Sequence, residues 1–313
     1  MISEAHLIHL LKTQFPSHIG DDAAVIPFTD TSSYVITQDI LVEDIHFRLA
    51  SQDIKSLAHK ALHVNLSDIA AMGATPRYVL MGLSIPSDAT EVSAFLKTFS
   101  KACKEVNVTL IGGDTTRSPN PWFISITVIG IAPTEHLKYR STARPGDSLC
   151  LIGKLGYAHL GFIALEQQVA GLKLFKQAFH SPKACLDAGL WLGKQKAVHA
   201  MMDTSDGLYI DLKRLCEASH VSATIELTTL PLSATFLKAC KQLNLDPIHT
   251  ALTGGEDYGL LFTVEANHPF IEAYTPHVIG KISHGSGVQF TQNGLPHSLE
   301  LHPFSHFGED LLF

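Results

Sequence analysis

The sequence predicts an α/β protein of two domains, with strands and helices layered in each. Three observations carry this expectation. Strand-like and helix-like patterns alternate through both halves of the chain, as in folds built from mixed layers. The 313 residues are 45% hydrophobic and 17% charged, enough apolar side chain for one large core or two ordinary ones. The Pro- and Gly-containing segment Thr142–Asp147 interrupts the alternation near the middle, which divides the chain into residues 1–141 and 142–313.

The elements follow in order. Ile2, Ala5, Ile8 and Leu11 recur on the 3.6-residue period and predict an N-terminal helix. The stretches "AAVIPF" and "YVITQDILVEDIHF" read as strands. A helix runs from about Asp53 to Met72, stopped by Gly73 and then Pro76. "YVLMGLSIP" is a strand, Ala89 to Val106 a helix, "VTLIGGD" a short strand and "WFISITVIGIA" a long one. In the second half, the strand "SLCLIGKLG" precedes helices near Gly156–Gln168 and Lys183–Val198. "MMDTSDGLYIDL" then passes from a strand signal to a helical one, and "ATIEL", "YGLLFTV" and "HVIGKI" are further strands. There is no short-period repeat.

Composition excludes several classes. A formal net charge of −7, with no Lys/Arg-rich run to offset it, argues against a nucleic-acid partner. Five cysteines without a C-x-x-C pair read as reduced, buried thiols of a cytoplasmic protein. The N-terminus lacks the basic region and small-residue cleavage site of a signal peptide, and no apolar run is long enough to cross a membrane.

Six acidic or Gly-acidic clusters need explaining. "IGDDAAV" holds Asp21 and Asp22; alone it reads as a turn. "TQDILVEDIHF" puts Asp39, Glu43, Asp44 and His46 in a predicted strand, where carboxylates are depleted. By strand parity Asp39 shares a face with Leu41 and Glu43, while Gln38, Asp44 and His46 point the other way. Asn65 and Asp68 lie three apart on one helical face amid Leu62, Leu66, Ile69 and Met72, where an unpaired Asp is costly. "LIGGDTTRSP" combines a Gly-Gly turn with Asp114, hydroxyls and Arg117; "LTGGEDYGL" sets Glu256 and Asp257 behind another Gly-Gly. The sixth, "MMDTSDGLYIDL", crowds Asp203, Asp206 and Asp211 at a strand-to-helix turn, either as helix caps or as metal ligands. His59 and His63 have the i, i+4 spacing of a zinc site, but with no further ligand in view they read as a structural pair.

A set of oxygen ligands with no Cys partner selects a hard cation, and no segment has the alternating ligands of an EF-hand. Mg²⁺ keeps waters and bridges to substrate phosphates, and glycine turns with Arg117 and Arg140 nearby suit a polyphosphate. Phosphoryl transfer is the chemistry these parts fit, because it needs charge neutralisation and alignment more than covalent help.

Read in order, "IGDDAAV", "TQDILVEDIHF", "KALHVNLSDIAAMGATP", "LIGGDTTRSP", "RSTARPGD", "DTSDGLYIDL" and "LTGGEDYGLLF" resemble the thiamine-monophosphate kinase family, within the superfamily of aminoimidazole ribonucleotide synthetase and selenophosphate synthetase. The resemblance spans about Gly20 to Phe307. It implies an N-terminal mixed sheet with flanking helices that dimerises, and a C-terminal α/β domain that completes an active site between them. It implies ATP-dependent phosphorylation of thiamine monophosphate to thiamine diphosphate with several Mg²⁺ ions, in a homodimer. Asp22, Thr37, Gln38, Asp39, Asp68, Asp114, Asp203 and Asp206 fall at the family's metal positions. Of these, Asp39, Asp68, Asp114 and Asp203 are the expected catalytic set. Gly113, Asp114, Arg140 and Ser205 fall where the family contacts ATP, and His46, Glu256 and Phe304 at its thiamine phosphate positions. Asp211 matches no ligand position and reads as structural.

Three departures stand out. Gln38 replaces a hydroxyl residue, so its amide or its backbone carbonyl would have to serve. Lys183 stands where the family has arginine, a point charge in place of a fork. Ser305 replaces an acid beside Phe304. Two other readings of the same sequence are a related ATP-using synthetase and a non-catalytic nucleotide-binding homologue. Selenide chemistry would want a cysteine near the N-terminus, and none precedes Cys103.

Overall fold

The structure is a computed structural model that describes residues 4–15, 19–266, 268–269 and 274–301. Two mixed sheets account for its two domains. The first takes β1 (Ala24–Thr29), β2 (Ser32–Val42), β3 (Thr75–Ile85), β4 (Thr109–Arg117) and β5 (Phe123–Pro133) in the order β1-β2-β5-β3-β4. Only β3 and β4 pair parallel; the other neighbours are antiparallel. The second takes β6 (Ser148–Ile152), β7 (Val198–Thr204), β8 (Ser222–Glu226), β9 (Gly259–Val264), β10 (His277–Ser283), β11 (Gly287–Gln292) and β12 (Leu295–His297) in the order β12-β11-β8-β10-β6-β9-β7. Besides α1 (Glu4–Gln14), the helices are α2 (Ile54–Ala71) and α3 (Val92–Glu105) in the first half. The second half has α4 (Tyr157–Glu166), α5 (Lys173–His180), α6 (Leu186–Gly193), α7 (Leu208–Ser219), α8 (Ala234–Leu243) and α9 (Pro247–Thr253).

Helix α2 organises the molecule. Asp53 caps it by accepting the N–H groups of Lys55 and Ser56, and it closes at Gly73, whose φ of +69° suits glycine. Alanine, leucine and isoleucine surround its axis, so it can be covered on all sides. One side packs on β2, β3 and β5; another meets α6, β7 and β9 of the second domain. Ala70 and Ala71 join Cys150, Ala188, Met201, Leu260 and Phe262 in a core shared between the domains. Gly189 permits this approach: a Cβ there would stand 2.2 Å from the Ala70 carbonyl oxygen. Each domain also has its own core, one under the first sheet around Phe95, Phe99 and Trp122, the other around Phe175, Phe236 and Leu261.

Several boundaries differ from expectation. The predicted strand through Phe47 ends at Val42; Glu43 to Phe47 form a turn in which Asp44 takes φ +67° and a lone bridge joins Glu43 to Phe47. Strand parity therefore does not govern where Asp44 and His46 point. The Gly-Gly of "LIGGDTTR" is not a turn: β4 runs through it to Arg117 as an edge strand, every residue of it exposed. Helices α5, α8 and α9 and the strands β11 and β12 were not expected, their short amphipathic patterns lying between stronger signals. No helix among the described residues is long and apolar enough to cross a membrane.

Candidate active site

Three carboxylates converge at the junction of the domains. Asp22 comes from the turn before β1, Asp68 from α2 and Asp203 from β7, and one oxygen from each lies within 4.8 Å of the others. Both oxygens of Asp203 are buried without a hydrogen-bond partner, as is the Ser67 hydroxyl one residue before Asp68. Burial, then the charges of Asp39, Asp203 and Asp22, push the Asp68 carboxyl well above its ordinary range. Burial, followed by Asp22 and Asp211, does the same to Asp203. Carboxylates so placed repel one another, and Asp203 has no hydrogen-bond donor; a bound dication would relieve both costs.

The surrounding residues set this geometry. The Thr37 hydroxyl donates to Asp68 Oδ2, and the Asp39 N–H donates to Asn65 Oδ1 (2.8 Å), so β2 is pinned against α2 at the height of the cluster. Asp39, on the same face of β2 as Thr37, is pushed up to about 6 by burial and then by Asp206. Arg140 holds Asp22 with two nitrogens, Nε to Oδ2 at 3.2 Å and Nη2 to Oδ1 at 2.5 Å, and its N–H meets Asp21 Oδ1 at 2.7 Å. This fork fixes Asp22 without reaching Asp203 or Asp68, and the pair raises the already high guanidinium pKa further.

The opening of α7 shows both readings of its crowded acids at once. Asp203 belongs to the cluster. Asp211 caps the turn: its Oδ2 accepts the N–H groups of Asp206 (3.1 Å) and Gly207 (3.0 Å), and burial, then Asp206, pushes it up to about 8. Arg214 pairs with both Asp206 and Asp211. Asp211→Ala is expected to cost about 1–3 kcal/mol by orphaning two buried N–H groups, whereas Asp211→Asn, which keeps the acceptor, should retain most of the stability. Chemical denaturation of the two variants checks this. Asp257 is likewise a cap, accepting the Gly156 and Ala158 N–H groups at the start of α4; burial raises it to about 7.

Nearer the N-terminal end of α2, around Lys60, lie the residues expected at the thiamine phosphate positions. His46 Nδ1 accepts the Val42 N–H (3.1 Å). Glu256, with φ +63°, hangs from the loop after α9, and its N–H donates to the Ser205 carbonyl at 2.7 Å. Ser205 itself is half-buried between Asp203 and Asp206. Lys60, which the sequence reading passed over, sits between them: Nζ is 2.8 Å from Glu256 Oε2 and 3.2 Å from the His46 carbonyl oxygen. The signal was available, since Lys60 lies among Leu57, Ala61 and Val64 on the helix, an apolar surround in which a charge needs a partner.

Two expected residues lie elsewhere. Gln38 projects from the opposite face of β2, where its Oε1 accepts the Thr127 hydroxyl (3.1 Å), so its amide is turned away from Asp39 and Asp68. Asp114, on β4, is in register with Gly82 of β3 and borders a cavity of about 410 Å³ with Ser84, Thr116 and Phe123. That cavity is on the outer face of the first sheet, away from α2. Gly113 beside it has φ +153°, and a Cβ there would stand 1.8 Å from the Met81 carbonyl oxygen, so the position requires glycine. Lys183 is exposed. Phe304 and Ser305 lie outside the described residues.

Known proteins carry the same architecture. The AIR synthase related protein N-terminal domain matches residues 20–132, and the AIR synthase related protein C-terminal domain matches residues 144–291. The thiamine-monophosphate kinase of Aquifex aeolicus is 34% identical over 296 residues, covering 92% of this chain and 94% of that one. Its counterpart in Haemophilus influenzae is 34% identical over 309 residues, covering 93% and 92%. The solved structure of AaThiL complexed with AMPPCP and TMP superposes with a TM-score of 0.88 at 30% identity, over 97% of both chains. With a common fold across nearly its whole length and identity at this level, the chain belongs to the thiamine-monophosphate kinase family of AIR synthase related proteins.

Proposed function

We propose that this chain transfers the terminal phosphoryl group of ATP to thiamine monophosphate, giving thiamine diphosphate and ADP. The observation that carries the reading is the buried, unpartnered Asp203 within 4.8 Å of Asp22 and Asp68. An all-oxygen donor set of this kind fits Mg²⁺, held by Asp22, Asp39, Asp68, Asp203 and Asp206 with Thr37 and the backbone at Gln38. Bound there, Mg²⁺ would neutralise the charge between the two phosphates that must meet. The residues of the chain do the rest. Arg140 and Ser205, with Gly113 and Asp114, face ATP; His46, Glu256 and Phe304 orient the acceptor. No strong general base is needed, because an acceptor phosphate oxygen is already anionic near neutral pH.

The active form we propose is a homodimer closed through the outer faces of the first sheets. Ile26, Phe28, Ile40, Tyr78, Leu110, Ile111 and Phe123 are large apolar residues left exposed on or beside that sheet. Asp114 stands on the same side, so it can join a cluster only by entering from a second copy. Five free cysteines, four of them buried, fit a reducing cytoplasm.

The direct test is chromatography of thiamine diphosphate and ADP after incubation with ATP, MgCl₂ and thiamine monophosphate. Product that EDTA abolishes supports the reading; its absence from folded protein overturns it. Metal linkage gives a second check. Asp39, Asp68 and Asp203 have folded-state pKa values above their unfolded ones, so the stability they allow is fully present below about pH 4 and is lost as pH rises through the raised values. Metal-free protein should therefore lose Tm as pH rises from about 4 through about 6, where Asp39 ionises, and further as Asp68 and Asp203 ionise above their ordinary range. Mg²⁺ should restore it increasingly over the same window, by on the order of 5 °C at the upper end. A Mg²⁺ effect independent of pH would contradict the carboxylate site.

A further inference from the structure

Lys60 is a fully buried ammonium paired with a partly exposed carboxylate. It is 0% exposed, whereas its partner Glu256 retains 27%. A buried ammonium is tolerated only when its donors are satisfied, and here each has a target: Glu256 Oε2 at 2.8 Å, the His46 carbonyl at 3.2 Å, and the face of Phe179, whose centroid is 4.1 Å from Nζ. These three come from three separate places, namely the turn after β2, the loop after α9 and the end of α5. Lys60 itself is on α2, two turns before Asp68 on the same helix.

We propose that Lys60 is a positioning residue for acceptor recognition. It holds the Glu256 carboxylate by one oxygen, leaves the partly exposed side chain its second oxygen for the acceptor, and ties the His46 turn to the same point. The strained backbone of Glu256, at φ +63°, allows the loop other conformations that this ion pair selects against. The occupant matched to such a carboxylate is the cationic or amino-bearing part of the acceptor, not its phosphate. Ser205, assigned to ATP, meets Glu256 through the Glu256 N–H (2.7 Å), whereas Lys60 holds the Glu256 carboxylate (2.8 Å), so the effect of Lys60 should fall on the acceptor.

This inference rests on the phosphotransfer reading, and the wild-type assay judges that reading separately: no ADP formed with thiamine monophosphate condemns the function, not the role of Lys60. With active wild type, Lys60→Met removes the charge while filling the buried space. It leaves no buried ion behind, because Glu256 keeps access to water. The expected result is an acceptor KM raised about tenfold to thirtyfold, with the KM for ATP and kcat changed by less than about threefold. Glu256→Gln should raise the acceptor KM similarly, and the double variant should be no worse than Glu256→Gln alone, because one unit is removed twice. A merely structural lysine would instead move both KM values and kcat together, or give multiplicative effects in the double variant; either overturns the proposal. Should Lys60→Met fail to fold by circular dichroism, Lys60→Gln is read by the same criteria, and a wild-type acceptor KM in that variant overturns the proposal equally.

Discussion

Asp68→Asn is expected to lower turnover by on the order of a thousandfold while making the metal-free protein more stable. The two effects share one cause. Asp68 is raised well above its ordinary range by burial and by Asp39, Asp203 and Asp22, so in metal-free protein its charge is a liability. An asparagine keeps the Oδ acceptor for the Thr37 hydroxyl and the shape of the side chain, and it removes that repulsion. With the charge gone, the three-carboxylate set loses one of its members, and with it the electrostatic match to a dication. Differential scanning calorimetry in EDTA should show an unchanged or higher Tm, and the gain in Tm on adding Mg²⁺ should shrink. Near-normal turnover, or a Tm that falls in EDTA, would remove Asp68 from the proposed metal site.

Mixing inactive variants should restore activity if two subunits build each site. Asp114→Asn and Asp68→Asn are each expected to be inactive alone. In a dimer that contains one of each, a site that takes Asp114 from the opposite subunit would gather both substitutions, leaving the second site intact. Random reassociation of equal amounts should then recover about a quarter of wild-type activity, half the dimers being mixed and one site in two being whole. If Asp114 acts within its own chain, every site carries a substitution and the mixture stays inactive. The geometry favours the first outcome, because Asp114 and the cluster lie on opposite sides of the same sheet.

Much of the framework was legible in the sequence because local signals there are strong. The long apolar helix with its Asp53 cap and Gly73 stop was expected within a residue or two, and "WFISITVIGIA" and "YGLLFTV" are strands, as predicted. The short helices α5, α8 and α9 were not, since seven to ten residues give a period too little room to declare itself. The strand carrying Asp39 was read too long, because the turn at Asp44 depends on a left-handed residue that no motif signals.

The candidate site divides along the same line. The sequence by itself determined the chemistry to expect: carboxylates and glycines without thiol partners, in an order shared with one family, point to a hard cation and phosphates. It also separated Asp211 from its neighbours. Only the tertiary structure decided which of those carboxylates meet. Asp22, Asp68 and Asp203 converge although 181 residues separate the first from the last, while Asp114 faces the other way and Gln38 turns its amide outward. The reason is geometric. The face on which a strand residue lies depends on register, bulges and the point where the strand ends, and the partner of a buried charge such as Lys60 depends on how two domains close on one helix. Neither quantity is local, so neither is written in any short stretch of the chain.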